Sequence, residues 1–144
     1  MEGKQRYWED VKVGQEIPGF SLNIDWTRLA KQVSGSQDFY PVHHDPDFAR
    51  AGGHKEMFVN TGFMQGCFSR LMTDWIGDDG FVRKFHMEMR KMNILHDTMT
   101  LKGKVTNKYV EGDTHYVEAD VWAENAREGV TTPSQCLLTL PSRG

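Results

Sequence analysis

The chain has 144 residues and a formal net charge of −3. That is long enough to bury one sizeable core and too short for two, so a single domain over residues 1–144 is expected. Acids and bases are interspersed, which leaves no basic stripe for a nucleic-acid partner. No apolar run reaches the roughly 18 residues of a membrane-crossing helix, and Met1-Glu2-Gly3-Lys4-Gln5-Arg6 lacks the apolar core of a signal peptide, so a soluble, cytoplasmic protein without a membrane partner is expected.

Ile17, Phe20, Leu22 and Ile24 predict a first strand over Glu16 to Ile24, made irregular at its start by Pro18-Gly19. Asp25 is placed to N-cap a short helix from Trp26 to Val33, which delivers the chain to Ser34-Gly35-Ser36. Asp45-Pro46 pairs a cap with a first-turn proline and opens a second short helix, through Phe48 and Arg50, that stops at Gly52-Gly53. From Phe58 to Ile76 apolar pairs recur at nearly every fourth residue, which demands a long helix buried on a broad face. Gly62 and Gly66 each cost that helix about 1 kcal/mol relative to alanine; either a backbone or ligand approaches closely there, or the cost is tolerated.

Beyond Asp78-Asp79-Gly80 the period changes to two. Phe81, Phe85, Met87 and Met89 alternate with polar residues, Met99, Leu101, Val105 and Tyr109 continue the pattern, and Val117, Ala119, Val121 and Ala123 return after the turn Glu111-Gly112-Asp113. A last strand is expected from Thr131 to Leu140, with Pro133 marking an edge position or a bulge. The class is therefore α+β, and a long helix followed by an antiparallel meander is the order of a hot-dog fold, in which the sheet wraps the helix. Cys67 and Cys136 lie in apolar settings without metal spacing and read as reduced core residues.

The segment Asp38-Phe39-Tyr40-Pro41-Val42-His43-His44-Asp45 sets a carboxylate and an imidazole five residues apart across a proline. Pro41 fixes its own φ and pushes Tyr40 towards extended backbone, so both side chains can converge on one small molecule, for which a water is the natural candidate. This stretch resembles the signature of the MaoC-like hot-dog hydratases, roughly Ser-Gly-Asp-x-Asn-Pro-x-His. Here it reads Ser36-Gln37-Asp38-Phe39-Tyr40-Pro41-Val42-His43, with Gln37 in place of glycine and Tyr40 in place of asparagine. Asp38-Phe39, Val42-His43-His44-Asp45, Phe58-Val59-Asn60 and Thr73-Asp74-Trp75 are in addition similar to the smaller, catalytic subunit of the heteromeric enoyl-CoA hydratase of cholesterol side-chain breakdown.

The resemblance implies hydration of a 2-enoyl-CoA without metal or organic cofactor, CoA being part of the substrate. Asp38 and His43 would be the dyad that orients and deprotonates water; the residues leave open which of them takes the proton. Asn60, Thr61 and Gly62, at the start of the long helix, would offer backbone amides to the thioester oxygen, and Tyr40, Pro41 and Val42 would border the pocket. A homodimer, or a heteromer with another hot-dog chain, is implied as well. Arg83, Lys84, Arg90 and Lys91 are candidates for the CoA phosphates, against the plainer reading of a solvated strand face. Met64, Met72, Met87, Met89 and Met92 could line a wide acyl pocket or simply fill the core.

Rival readings are an acyl-CoA thioesterase on the same fold, which needs no imidazole beside its carboxylate, and a non-catalytic subunit that completes a partner's tunnel. His44-Asp45 looks like a phosphohydrolase metal pair, but that class needs further ligands on a helical bundle, whereas this chain ends in strands. His54, His86, His96 and His115 are isolated and read as surface or core residues.

Overall fold

The alternation in the second half of the chain builds one antiparallel sheet in the computed structural model, which describes residues 4–144; residues 1–3 of the N-terminal stretch read above for a signal peptide lie outside the described residues. The strands are β1 (Glu16–Asn23), β2 (Phe81–Met87), β3 (Thr98–Glu111), β4 (Thr114–Asn125) and β5 (Gly129–Thr139), in the order β1-β3-β4-β5-β2. Met99, Leu101 and Val105 from β3 and Val117, Ala119, Val121 and Ala123 from β4 all turn to one face and are buried. That face packs on helix α3 (Thr61–Ile76), which buries Met64, Cys67, Phe68, Leu71, Met72, Trp75 and Ile76. Each fully buried large side chain contributes about 1.5–3 kcal/mol, so this helix-on-sheet layer is the main source of stability. The hot-dog arrangement is the one expected.

Helix α1 (Trp26–Ser36) and helix α2 (Pro46–Ala51) flank a single 3-10 turn, Pro41–His43. Asp25 and Asp45 cap the two helices as expected, accepting from the amides of Arg28 at 2.7 Å and Phe48 at 3.1 Å. Helix α1 runs three residues beyond Val33, so Ser34-Gly35-Ser36 is helical rather than a connector. The Ser36 hydroxyl donates to the Gln32 carbonyl at 2.6 Å, and Gln37 ends the helix in the left-handed region at φ 58°. Helix α3 starts later than Phe58 because the Asn60 side chain caps it; Phe58 pairs instead as an isolated bridge with Ile94.

Three strand features depart from simple alternation. In β1 the register jumps between Ile17 and Phe20, and a Cβ on Gly19 would lie 1.8 Å from the Leu101 carbonyl oxygen, so only glycine fits this bulge. In β2 strict alternation would carry Arg83 inward with Phe81 and Phe85. A bulge between Val82 and Lys84 absorbs it, so Val82 and Phe85 face the core and Phe81 is left 59% exposed, contrary to expectation.

Strand β5 lies inside the sheet, so Pro133 is not on an edge. The Glu88 amide donates to the Pro133 carbonyl at 3.1 Å, so the proline nitrogen faces the β2 side one step beyond the last ladder pair, Met87 with Ser134, where its missing N–H ends the regular pairing. The bulge occurs nearby, where the register with β4 skips Thr131.

Gly62 and Gly66 lie on the exposed face of α3; a Cβ on Gly66 would meet nothing within 4 Å and one on Gly62 only the Asn60 side-chain oxygen at 3.6 Å. No close approach among the described residues requires them. Met64 and Met72 are fully buried in the core. The Cys67 and Cys136 thiols are free and buried, and desolvation pushes them up to about 11 and about 12.

Candidate active site

The left-handed residue Gln37 turns the chain out of α1 and Pro41 starts the 3-10 turn, so Asp38 and His43 come to face each other. Asp38 Oδ2 and His43 Nε2 are 3.3 Å apart, with the carboxylate side chain 41% exposed and the imidazole 8% exposed. His43 Nδ1 lies 2.8 Å from the Phe58 carbonyl oxygen. A carbonyl can only accept, so Nδ1 carries a hydrogen and Nε2 is the nitrogen presented to Asp38. A bare Nε2 lone pair against a carboxylate oxygen would be repulsive; the contact is favourable when the pair holds one proton between them.

Much of the dyad's support comes from Gln32, Phe58 and Asn60, outside the motif. Gln32, a polar residue on the buried face of α1, donates from Nε2 to the Phe58 carbonyl at 3.1 Å and accepts the Asn60 amide on Oε1 at 2.8 Å. Asn60 donates from Nδ2 to Ser36 Oγ at 3.0 Å and to Asp38 Oδ2 at 3.3 Å, while its Oδ1 accepts the Phe63 amide at 2.8 Å. The Tyr40 amide donates to Asp38 Oδ1 at 3.3 Å. One asparagine thus caps α3 and holds the carboxylate. Gln32 carried a signal, a polar side chain in the register of Leu29 and Val33; Phe58 carried none, because its contribution is a main-chain oxygen.

The Asn60 amide is committed to Gln32, and the Phe63 amide to the cap. Among the described residues, the Thr61 and Gly62 amides have no protein acceptor and project from the start of α3. Tyr40 and Val42 line a cavity of about 350 Å³ with Phe48, His54 and Phe58. Pro41 is not part of that wall and serves to open the turn. The Tyr40 and Phe58 rings meet His43 edge-on, with centroids 6.4 and 5.0 Å away.

The remaining candidates lie elsewhere. His44 Nε2 is 3.0 Å from the Phe39 carbonyl oxygen and Asp45 is the α2 cap, so both are engaged locally. His86 sits 3.4 Å from Glu88, and His115 packs on Trp8. Arg83 stacks on Phe81 and Arg90 pairs with Glu88 at 2.7 Å. Lys91 lies apart from these, in a recess beside His54.

No protein-family profile matches the chain. Over 94 residues it is 34% identical to the 3-oxo-4,17-pregnadiene-20-carboxyl-CoA hydratase beta subunit of Mycobacterium tuberculosis, a match that spans 65% of this chain and 73% of that protein. Among solved structures, a chain of the ChsH1-ChsH2 complex from Mycobacterium tuberculosis is 29% identical with a TM-score of 0.80, over 90% of this chain and 98% of that one. The (R)-hydratase from A. caviae involved in PHA biosynthesis has the same fold at 19% identity and a TM-score of 0.79, over 92% of this chain and 99% of that one. So does the MaoC-like dehydratase from Rhodospirillum rubrum, at 16% identity and a TM-score of 0.81 over 96% and 99% of the two chains. With this fold, and with sequence identity carried over most of a curated hydratase subunit, the chain belongs to the MaoC-like hydratase/dehydratase family of hydro-lyases.

Proposed function

We propose that this chain is a catalytic subunit that adds water across the 2,3 double bond of an acyl-CoA thioester, with Asp38 and His43 activating the water. The carrying observation is the contact of 3.3 Å between Asp38 Oδ2 and an Nε2 whose partner nitrogen is locked on the Phe58 carbonyl. A pair holding one proton has one group free to accept and one ready to donate, which is what hydration needs. The water oxygen bonds to C3 as its proton passes to the dyad, the π electrons move through C2 onto the thioester oxygen, and the dyad returns a proton to C2. The charge on the thioester oxygen would be met by the unengaged amides of Thr61 and Gly62 at the positive end of α3.

No metal or organic cofactor enters this scheme, and CoA is part of the substrate. A relative named as the beta subunit of a steroid carboxyl-CoA hydratase and a structural neighbour in a two-chain complex both favour a bulky acyl group and assembly with a second hot-dog chain over a homodimer.

The test is loss of enoyl absorbance with a short-chain and a steroid-side-chain enoyl-CoA. Asp38→Asn and His43→Ala should each lower kcat by about 10²–10⁴ while remaining folded. Thiol release with the double bond intact would replace hydratase by thioesterase. Binding of acyl-CoA without turnover, even with a second hot-dog subunit supplied, would make the chain a non-catalytic partner.

A further inference from the structure

The oxygen that holds His43 belongs to a peptide unit pinned at both ends. The Phe58 carbonyl accepts His43 Nδ1 at 2.8 Å and Gln32 Nε2 at 3.1 Å, and the Val59 amide of the same peptide donates to the Asn93 carbonyl at 3.1 Å. A trans peptide is planar, with its C=O and N–H pointing opposite ways, so the direction of the Val59 N–H sets the direction of the Phe58 oxygen. The Leu95 amide, donating to the Met57 carbonyl at 2.9 Å, completes this short bridge between residues 57–59 and 93–95. What holds residue 93 therefore holds the imidazole.

Residue 93 is held by its own side chain, in a site where Asn93 is 1% exposed. Asn93 Nδ2 donates to Thr131 Oγ1 and its Oδ1 accepts Asn125 Nδ2, both at 3.0 Å. Asn125 Nδ2 reaches on to Asp97 Oδ2 at 3.2 Å, and its Oδ1 accepts the Glu128 amide at 2.8 Å. The same Asp97 oxygen accepts the Ile94 amide and Arg127 Nη2, each at 2.9 Å, so the network closes on the residue that follows Asn93. Buried polar groups are costly unless paired, and once paired they fix one arrangement where apolar side chains would admit several. Asn93 is not in the wall of the cavity beside the dyad, which Tyr40, Val42 and Phe58 help to form.

We propose that Asn93 is a positioning residue for the dyad: it orients the peptide between Phe58 and Val59, and so keeps the His43 hydrogen on Nδ1 and turns Nε2 to Asp38. Without the side-chain anchor the Asn93 carbonyl shifts, the peptide plane tilts, and the bond from Nδ1 to the Phe58 oxygen weakens steeply as its angle closes. The kinetic consequence rests on the hydration reading of Asp38 and His43; the effect on the imidazole does not.

The experiment is ¹⁵N NMR of the whole protein labelled at histidine, read beside enoyl-CoA turnover. In the wild type the His43 Nδ1 signal, identified by its loss in His43→Ala, should keep the shift of a protonated nitrogen in the neutral imidazole. In Asn93→Ala it should move towards that of a bare nitrogen as both tautomers become populated, and kcat should fall about ten- to a hundredfold with KM unchanged. Thr131→Val, which removes the acceptor of Asn93 Nδ2 and keeps the shape, should move the signal the same way by a smaller amount, and carries the test if the alanine variant does not fold. Leu138→Ala, a truncation of a fully buried side chain in β5, should lower the denaturant midpoint and leave the Nδ1 signal alone. An unchanged signal in either folded variant, an equal shift in Leu138→Ala, or a loss of turnover carried by KM overturns the proposal. A double bond left intact by wild-type protein whose Nδ1 signal still depends on Asn93 refutes the hydration reading alone.

Discussion

Asn60 joins two functions in one side chain, and a pair of substitutions separates them. Its Oδ1 caps α3 through the Phe63 amide at 2.8 Å, and its Nδ2 reaches Asp38 Oδ2 at 3.3 Å. Serine ranks with asparagine as an N-cap, so Asn60→Ser keeps the first function but is too short for the second, whereas Asn60→Ala loses both. Loss of the cap costs about 1 kcal/mol, which for a domain of this size lowers the melting temperature by about 2–5 °C. Loss of a hydrogen bond to a charged acceptor costs about 1.5–3 kcal/mol, and if it is used to orient Asp38 at the transition state kcat falls by about ten- to a hundredfold. Thermal unfolding followed by circular dichroism, beside loss of enoyl absorbance, reads the two effects independently. Both variants should lose activity, and only the alanine should lose the cap's share of stability. A serine variant with activity within twofold of wild type would show that Asn60 does not position Asp38, and equal melting temperatures for the two would remove the cap from the account.

Glycine substitutions probe the fold at opposite extremes. Gly66→Ala, whose Cβ meets nothing within 4 Å, should raise stability by about 1 kcal/mol, unless a partner chain packs on that face, in which case assembly is what weakens. Gly19→Ala must displace the Leu101 carbonyl and should cost several-fold more, both read as shifts in the denaturant midpoint. The buried thiols give a pH dependence with a definite sign. Burial raises Cys67 to about 11 and Cys136 to about 12 from 9.0, so the unfolded chain ionises first. Their contribution is therefore fully present below pH 9.0 and is lost as pH climbs towards 11 and 12. Melting temperature should fall over that window, less steeply in Cys67→Ala, and native protein at pH 8 should resist thiol alkylation until denaturant is added. Rapid alkylation of the folded protein would contradict the burial.

How much of this was legible depended on how local the determinant is. Caps at Asp25 and Asp45, the apolar rows of α3, β3 and β4, and the closeness of Asp38 to His43 follow from residues a few positions apart, and the sequence reading placed all of them. Phe81 was misplaced because a bulge at Arg83 shifts the phase of β2, and such a bulge is visible only once β2 pairs with β5. Pro133 points to an edge in isolation, yet β5 is interior and the missing donor falls just past the end of a neighbouring ladder. The support of the dyad escaped for the same reason: Gln32 and Asn60 are 28 residues apart and meet only after α3 has docked on the sheet.

The hold on His43 has an evolutionary corollary. What locks the imidazole is the oxygen of the peptide unit at position 58, not the phenylalanine ring, and every amino acid brings that oxygen. The ring itself faces the cavity beside the dyad. Selection can therefore exchange the side chain at 58 for a larger or smaller one and reshape what the cavity admits, without touching the anchor of the Asp38–His43 pair. A lineage built on this chain can drift in the molecules it accepts while its chemistry stays put.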